Sequence, residues 1–211
     1  MFQPDHSPAA DRNKQAILDV LLQVLPPQGK ALEIASGTGQ HVAWFAAGGS
    51  GLSCLSGWDW QPSDAQADGF ASINAWVAQQ AGRNVRAPLL LDVMAESWLS
   101  GTPDQARLFD MIYCANMLHI APWATCTALM RGSAQHLAPD GLLITYGPYL
   151  EDSVHTSPSN LEFDHSLKER NSAWGLRRLE DVQAEAAVAG LKLQARHVMP
   201  ANNLLLVWGR Y

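Results

Sequence analysis

The chain has 211 residues, 47% of them hydrophobic and 16% charged, with a formal net charge of −6. This composition excludes a disordered chain or a coiled coil, and the length suits one α/β unit with a sizeable core. An acidic balance without any lysine–arginine cluster argues against DNA or RNA as a partner.

Residues 11–25 form an amphipathic N-terminal helix with Ile17, Leu18, Leu21 and Leu22 on one side, stopped by Pro26-Pro27. The first strand covers 31–35 and ends in a small-residue turn, and a helix follows over 40–47. Gly48, Gly49 and Gly51 break the chain before a second strand at 53–60. A helix over 66–81 ends at Gly82, and 87–91 is the third strand. The apolar fourth strand, 108–115, precedes a helix over 122–137, and 141–146 is the fifth strand. The polar segment 147–176, rich in Ser, Pro and Asn, is long for a connection in a compact domain, a length typical of lids and binding loops. A short helix near 163–169, capped by Asn160, is expected inside it. A helix over 179–189 ends at Gly190, and strands 191–198 and 204–208 close the sheet as a hairpin. The alternation predicts an α/β fold. It is a doubly wound, Rossmann-like sheet of about seven strands, mostly parallel with a terminal antiparallel hairpin, in a single domain spanning 1–211.

The chemistry concentrates after the first strand, in Glu33-Ile-Ala-Ser-Gly-Thr-Gly-Gln-His41. Gly37 and Gly39 let the backbone turn tightly and let a ligand approach the main chain without meeting a Cβ. The N–H groups that open the next helix face whatever sits there. A dinucleotide fold would place a third glycine where this chain has Val42. The acid at Glu33 suits a cofactor carrying a cationic sulfonium and an ammonium, whereas beside a diphosphate it would repel. The pattern is that of S-adenosylmethionine binding, with Glu33, Ala35, Ser36, Gly37, Gly39, Gln40 and His41 around the cofactor.

Other positions acquire roles from location, since ligands of a doubly wound sheet sit beyond the carboxyl ends of its strands. Asp64 or its rival Asp59 would accept from the ribose hydroxyls. Asp92 and Val93, after the third strand, would meet the adenine ring. Asn116 and Met117, after the fourth, would line the floor under the methionine moiety. The competing role for Asp64 and Asp92 is a helix cap or a turn. His119 lies just beyond; a lone histidine at a strand end serves structure more often than catalysis, and both roles stay open.

Several motifs occur together and in order: Arg12-Asn-Lys14, Glu33 to His41, Trp60-Gln-Pro-Ser-Asp64, Leu91-Asp-Val93, Leu143-Ile-Thr-Tyr-Gly-Pro-Tyr149, Trp174-Gly-Leu-Arg177 and Pro200-Ala-Asn-Asn203. From about residue 11 to its end the chain resembles the S-adenosylmethionine-dependent methyltransferase-like family whose animal member is called methyltransferase-like protein 26. The resemblance implies the class I methyltransferase fold and S-adenosylmethionine as cofactor, and favours Asp64 over Asp59. It names no acceptor.

The acceptor site is expected in the polar segments: Tyr149, Asn160, Phe163, Arg170, Asn171, Trp174 and Arg177 in the long insertion, and Asn202-Asn203 in the terminal hairpin turn. Arg12 and Asn13, from the first shared motif, join them. If the acceptor needs deprotonation, His119, Tyr146 or Asp164 could serve. Trp44 and Trp60 suit the core or a pocket wall better than a stacking platform. Other chemistries are set aside. No Pro-Pro-aromatic run follows the fourth strand, no Pro-Cys nucleophile occurs, and neither zinc-ligand spacing nor Gly-x-Ser-x-Gly is present. Cys54, Cys114 and Cys126 read as free buried thiols of a reducing compartment. Neither a signal-like start nor an apolar run of membrane-spanning length occurs, so a cytoplasmic protein away from membranes is expected.

The first reading is an S-adenosylmethionine-dependent methyltransferase with a small-molecule or protein-side-chain acceptor. A non-catalytic module binding the same cofactor is the second, and a nicotinamide-dependent reductase, disfavoured by Val42 and Glu33, is the third.

Overall fold

The computed structural model describes residues 3–47, 55–80, 83–102 and 105–211. The expected glycine break at Gly48, Gly49 and Gly51, the strand start at Ser53, the thiol of Cys54 and the helix end at Ala81 and Gly82 lie outside these residues. In chain order the elements are α1 (Pro8–Val24), β1 (Gly29–Ile34), α2 (Gln40–Ala47), β2 (Trp58–Asp64), α3 (Phe70–Gln80), β3 (Leu89–Leu90), β4 (Phe109–Ala115) and α4 (Trp123–His136). They continue as β5 (Leu137–Gly147), β6 (Tyr149–Leu150), α5 (Pro158–Arg170), β7 (Arg177–Arg178), α6 (Leu179–Val188), β8 (Leu191–Met199) and β9 (Asn203–Arg210).

Seven strands form one sheet in the order β3-β2-β1-β4-β5-β9-β8. The pairs from β3 to β5 are parallel, and β9 runs antiparallel to both β5 and β8. This is the expected doubly wound sheet with its terminal hairpin. The chain leaves β1 in one direction and returns at β4 on the other side, which puts the switch point, and the cleft it opens, at the carboxyl ends of those two strands.

Alternate residues of the central strands feed two cores. Ala31, Met111, Tyr113 and Ile144 pack with Ile17, Val42, Phe45 and Ile73, from α1, α2 and α3, on one face. Leu32, Ile34, Ile112, Cys114 and Leu143 pack with Cys126, Leu129, Val182 and Ala186, from α4 and α6, on the other. A period-two strand covered on both faces must be apolar nearly throughout, which is why β1 and β4 read as continuous runs. Trp60 is fully buried in the first core, while Lys14 lies over the ring of partly buried Trp44.

Some boundaries differ from expectation. β2 extends through Pro62 to Asp64, and Pro62 lies beside Glu33 of β1. Proline has no N–H to give the ladder. The buried amide of Gln61 instead donates to Ala87 O at 2.7 Å, supplying a donor to the neighbouring segment. α1 and α5 both begin earlier than expected. Each starts with proline in its first turn behind a serine whose hydroxyl accepts a backbone N–H, Ser7 from Ala10 and Ser157 from Asn160. Asn160 is therefore a first-turn residue of α5, and Ser157 is the cap. The segment 147–176 holds this helix and β6, whose parallel partner β7 follows directly after it, so it carries more regular structure than its composition suggests.

Candidate functional site

The loop between β1 and α2 is tied down by the end of β2. Ser36 N–H donates to Ser63 O at 2.9 Å, Ser63 N–H donates to Ser36 Oγ at 3.1 Å, and Ser63 Oγ donates to Glu33 O at 2.7 Å. Gly37 N–H then donates to Asp64 Oδ2 at 3.0 Å. Ala35, Gly37 and Gly39 all have positive φ, of 55°, 55° and 87°. For the alanine this conformation is strained, at about 1–2 kcal/mol. The two glycines have separate reasons. A Cβ on Gly37 would meet nothing nearer than Ala35 O at 4.0 Å, so the space above it is open to a ligand. A Cβ on Gly39 would lie 2.6 Å from Ile73 Cα, so Gly39 also serves the close approach of the loop to α3.

Glu33 is 2% exposed and its Oε2 has no hydrogen-bond partner among the described residues. Burial pushes its carboxyl up to about 8; a hydrogen bond from Ser36 opposes the shift and the charge of Asp64 adds to it. With Glu33 held protonated near neutrality, the charge at the loop comes from Asp64; a bound cation would favour ionised Glu33, whereas a diphosphate would not. Asp59 and Asp64 stand at the two ends of β2. Asp59 lies at the opposite end of β2 in ion pairs with Arg86 and Arg107, at 2.9 and 2.8 Å. Asp64 stands at the carboxyl end, half-buried beside the loop. Asp92 is exposed and accepts Met94 N–H at 2.9 Å in a turn, while Val93 and Met117 pack into the second core.

His41 and Gln40 are buried, and both side chains bond to the start of α1. The Nε2 of His41 is 2.7 Å from Asn13 Oδ1 and its Nδ1 is 3.3 Å from the Tyr113 hydroxyl. Burial and the charge of Lys14 lower its pKa to about 4. Gln40 Oε1 accepts Ser7 N–H, which fastens the start of α1 over the loop, and Asp5 is held by Ser72 at 2.9 Å.

Next to the loop, at the ends of β4 and β5, is a cavity of about 770 Å³. It brings together Arg12, Asn13, Asn116, His119, Tyr146, Asn160, Phe163 and Asn203, all expected from the sequence. Asn116 has φ 57° and donates its N–H to Tyr146 O at 2.8 Å, so a second strained residue marks the cleft. His119 is 6% exposed and meets the edge of the Phe163 ring at 5.5 Å. Its pKa falls to about 4 through burial and the charge of Arg177, which leaves a neutral imidazole at physiological pH. Burial raises the pKa of Tyr146, partly offset by a hydrogen bond from Asn13 and the charge of Arg12.

Seven of the expected acceptor-site and catalytic residues, Arg170 and Asn171 among them, do not line this cavity. Asp164 accepts Leu176 N–H at 2.8 Å and pairs with Lys168, so both its oxygens are engaged outside the cavity. Arg177 donates to the carbonyls of Leu118, Ala121 and Ala173, acting as a clamp. Trp174 sits under Arg170, 5.1 Å from its guanidinium. Tyr149 bonds Thr145 Oγ1 at 3.0 Å and, with Asn202, lines a separate cavity of about 130 Å³. Sequence reasoning missed Ser7, Ala9, Ile120, Pro148, Ser159, Pro200 and Ala201 in the large cavity. The Ser-Pro pairs at 7–8 and 157–158 were the available signal for the two serines' neighbourhoods. Among the described residues no cluster of His, Cys, Asp or Glu could hold a metal, and no helix is long and apolar enough to cross a membrane. Cys114 and Cys126 are free and buried, with the Cys126 thiol pushed up to about 12.

A family model described as a protein of unknown function (DUF938) matches residues 4–210, and the chain belongs to that family. The fold is that of solved methyltransferases. An O-methyltransferase family protein from Burkholderia thailandensis superposes with a TM-score of 0.76 at 16% identity, covering 96% of this chain and 57% of that one. The mitomycin 7-O-methyltransferase gives 0.77 at 13% identity, over 96% and 54%. A methyltransferase of calicheamicin biosynthesis in an SAH-bound form gives 0.70 at 14% identity, over 94% and 54%. The chain thus spans a little over half the length of the solved structures it matches.

Proposed function

We propose that the protein is an S-adenosylmethionine-dependent methyltransferase with a small-molecule acceptor, the reading also implied by the motifs shared with the methyltransferase-like protein 26 family. The observation that carries it is the loop in which Gly37 is bonded to Asp64 above a buried, part-unpaired Glu33, one strand from a cavity of about 770 Å³. The residues fit the cofactor: the open face of Gly37 admits it, the acids suit its cationic groups, and Asp64 suits its ribose hydroxyls. Asn116 would stand under its methionine part. The charge of Asp64 at the loop opposes the diphosphate of a nicotinamide cofactor, and a binding-only module has no use for the adjoining cavity.

When bound, S-adenosylmethionine supplies an electrophilic methyl group on a cationic sulfur. The chain contributes positioning, which alone is worth several kcal/mol. His119, neutral and unbonded, accepts a hydrogen bond from an acceptor hydroxyl. With its conjugate acid near 4 it is too weak to ionise a hydroxyl of pKa about 10 beforehand, so it orients the oxygen and takes the proton late. Tyr146 lines the cavity beside Asn13, and its O–H can donate to an acceptor there. α5 forms a cover that opens between turnovers, with Phe163 closing on His119.

Incubation with methyl-labelled S-adenosylmethionine and a metabolite extract tests this. The label is expected in the small-molecule fraction. A folded protein that binds the cofactor product yet transfers no label would leave only the binding-module reading.

A further inference from the structure

The large cavity has a chemical bias that the methyltransferase reading does not require. Its lining contains one cation, Arg12, and no carboxylate, in a chain of net charge −6. Arg12 makes no hydrogen bond or ion pair with the described residues; its charge is felt at Tyr146. Two helices begin here. α1, of 17 residues, presents Ser7 and Ala9, and α5, of 13 residues, presents Ser159 and Asn160. Pro8 and Pro158 carry no N–H, Ser7 N–H is taken by Gln40 and Asn160 N–H by Ser157, so the N–H groups of Ala9 and Ser159 are the ones here without a partner among the described residues, and each helix start carries partial positive charge. Opposite them is His119, 94% buried by its 6% exposure, with neither ring nitrogen hydrogen-bonded to a described residue although it faces the cavity. Phe163, Ile120 and Pro148 supply the apolar wall.

We propose that the acceptor is an anion: a flat, hydroxylated carboxylate whose carboxyl group sits between Arg12 and the starts of α1 and α5, and whose hydroxyl meets His119. This rests on the methyltransferase reading only for the fate of the hydroxyl; the anionic site stands on the cavity itself. A guanidinium beside free backbone N–H groups binds a carboxylate through charge-assisted hydrogen bonds. The same groups bind the matching amide only weakly, so the site discriminates between near-isosteres.

Calorimetric titration of the full chain with 4-hydroxybenzoate and salicylate, against 4-hydroxybenzamide and salicylamide, provides the test, with and without S-adenosylhomocysteine. The acids are expected to bind about tenfold or more tighter than their amides. Arg12→Gln is expected to close that gap while S-adenosylhomocysteine binding and the circular dichroism spectrum stay as in the parent. His119→Phe is expected to weaken 4-hydroxybenzoate relative to benzoate. Equal affinity of acid and amide, an acid preference that survives Arg12→Gln, or no binding by any of the four compounds overturns the proposal. Acid preference without S-adenosylhomocysteine binding would remove the methyltransferase reading and keep the anionic site. Cofactor-product binding without acid preference would do the reverse.

Discussion

The Nε2 atom of His41 lies 2.7 Å from Oδ1 of Asn13, joining the helix after the glycine loop to the first helix. With Tyr113 O–H donating to Nδ1 and Nε2–H donating to Asn13, the three side chains form one buried chain from β4 through α2 to α1, so removing one member exposes the others to desolvation without compensation. Asn13→Leu is expected to cost roughly 1–3 kcal/mol of stability, read by urea denaturation. An unchanged midpoint would mean that the network does not hold α1.

Stability is expected to peak near neutrality. Glu33, raised to about 8 in the folded state from 4.5, adds stability below pH 4.5 that is lost as pH rises through 8. His41 and His119, lowered to about 4 from 6.5, act the other way: their contribution is present above pH 6.5 and lost as pH falls through 4. Between 4.5 and 6.5 the two histidines outweigh the one acid, and between 6.5 and 8 Glu33 acts alone. Thermal denaturation across pH should therefore show a fall on the alkaline side that Glu33→Gln flattens. The same alkaline slope in both proteins would show that Glu33 is ionised in the folded state.

Gly37 and Gly39 should separate binding from folding. Gly39→Ala places a Cβ 2.6 Å from a backbone atom, Ile73 Cα, so trimming the Ile73 side chain cannot relieve it and the protein should lose several degrees of melting temperature. Gly37→Val meets only positive-φ strain and should fold, yet lose S-adenosylhomocysteine binding because the side chain fills the open space. Retained affinity in folded Gly37→Val protein would place the ligand elsewhere.

The mostly parallel sheet with its terminal hairpin, the loop after β1 and about half of the cavity lining were legible because they rest on local signals: apolar runs, glycines and acids at strand ends. What was not legible depended on tertiary pairing. Gln61-Pro62 reads as a turn, and only the donation of Gln61 to Ala87 O lets the strand run through the proline. The roles of Asp164 and Arg177 depended on Leu176, Leu118 and Ala121, partners that no spacing announces. Tyr149 leaves the cavity because it lies three residues beyond Tyr146 and packs into the other core, where its hydroxyl donates to Thr145 Oγ1. Asn13 was readable for a different purpose, four residues before Ile17 on the buried face of α1.

α5 is held at one end by Asn160, whose amide donates to Asn202 O at 3.0 Å, and at the other by the Asp164–Leu176 bond of 2.8 Å. As a cover that opens between turnovers, it should exchange its amide hydrogens faster in the free protein than with S-adenosylhomocysteine bound. Equal, strong protection in both states would make 147–176 a rigid wall.

The central proposal is tested most directly by calorimetric titration of the parent, Glu33→Gln and Asp64→Ala proteins with S-adenosylhomocysteine and, separately, NADH. One site for the methyl-donor product is expected in the parent, at least about tenfold weaker in Asp64→Ala, with no heat from NADH. Binding of NADH instead, or S-adenosylhomocysteine affinity indifferent to Asp64 and Glu33, would contradict it.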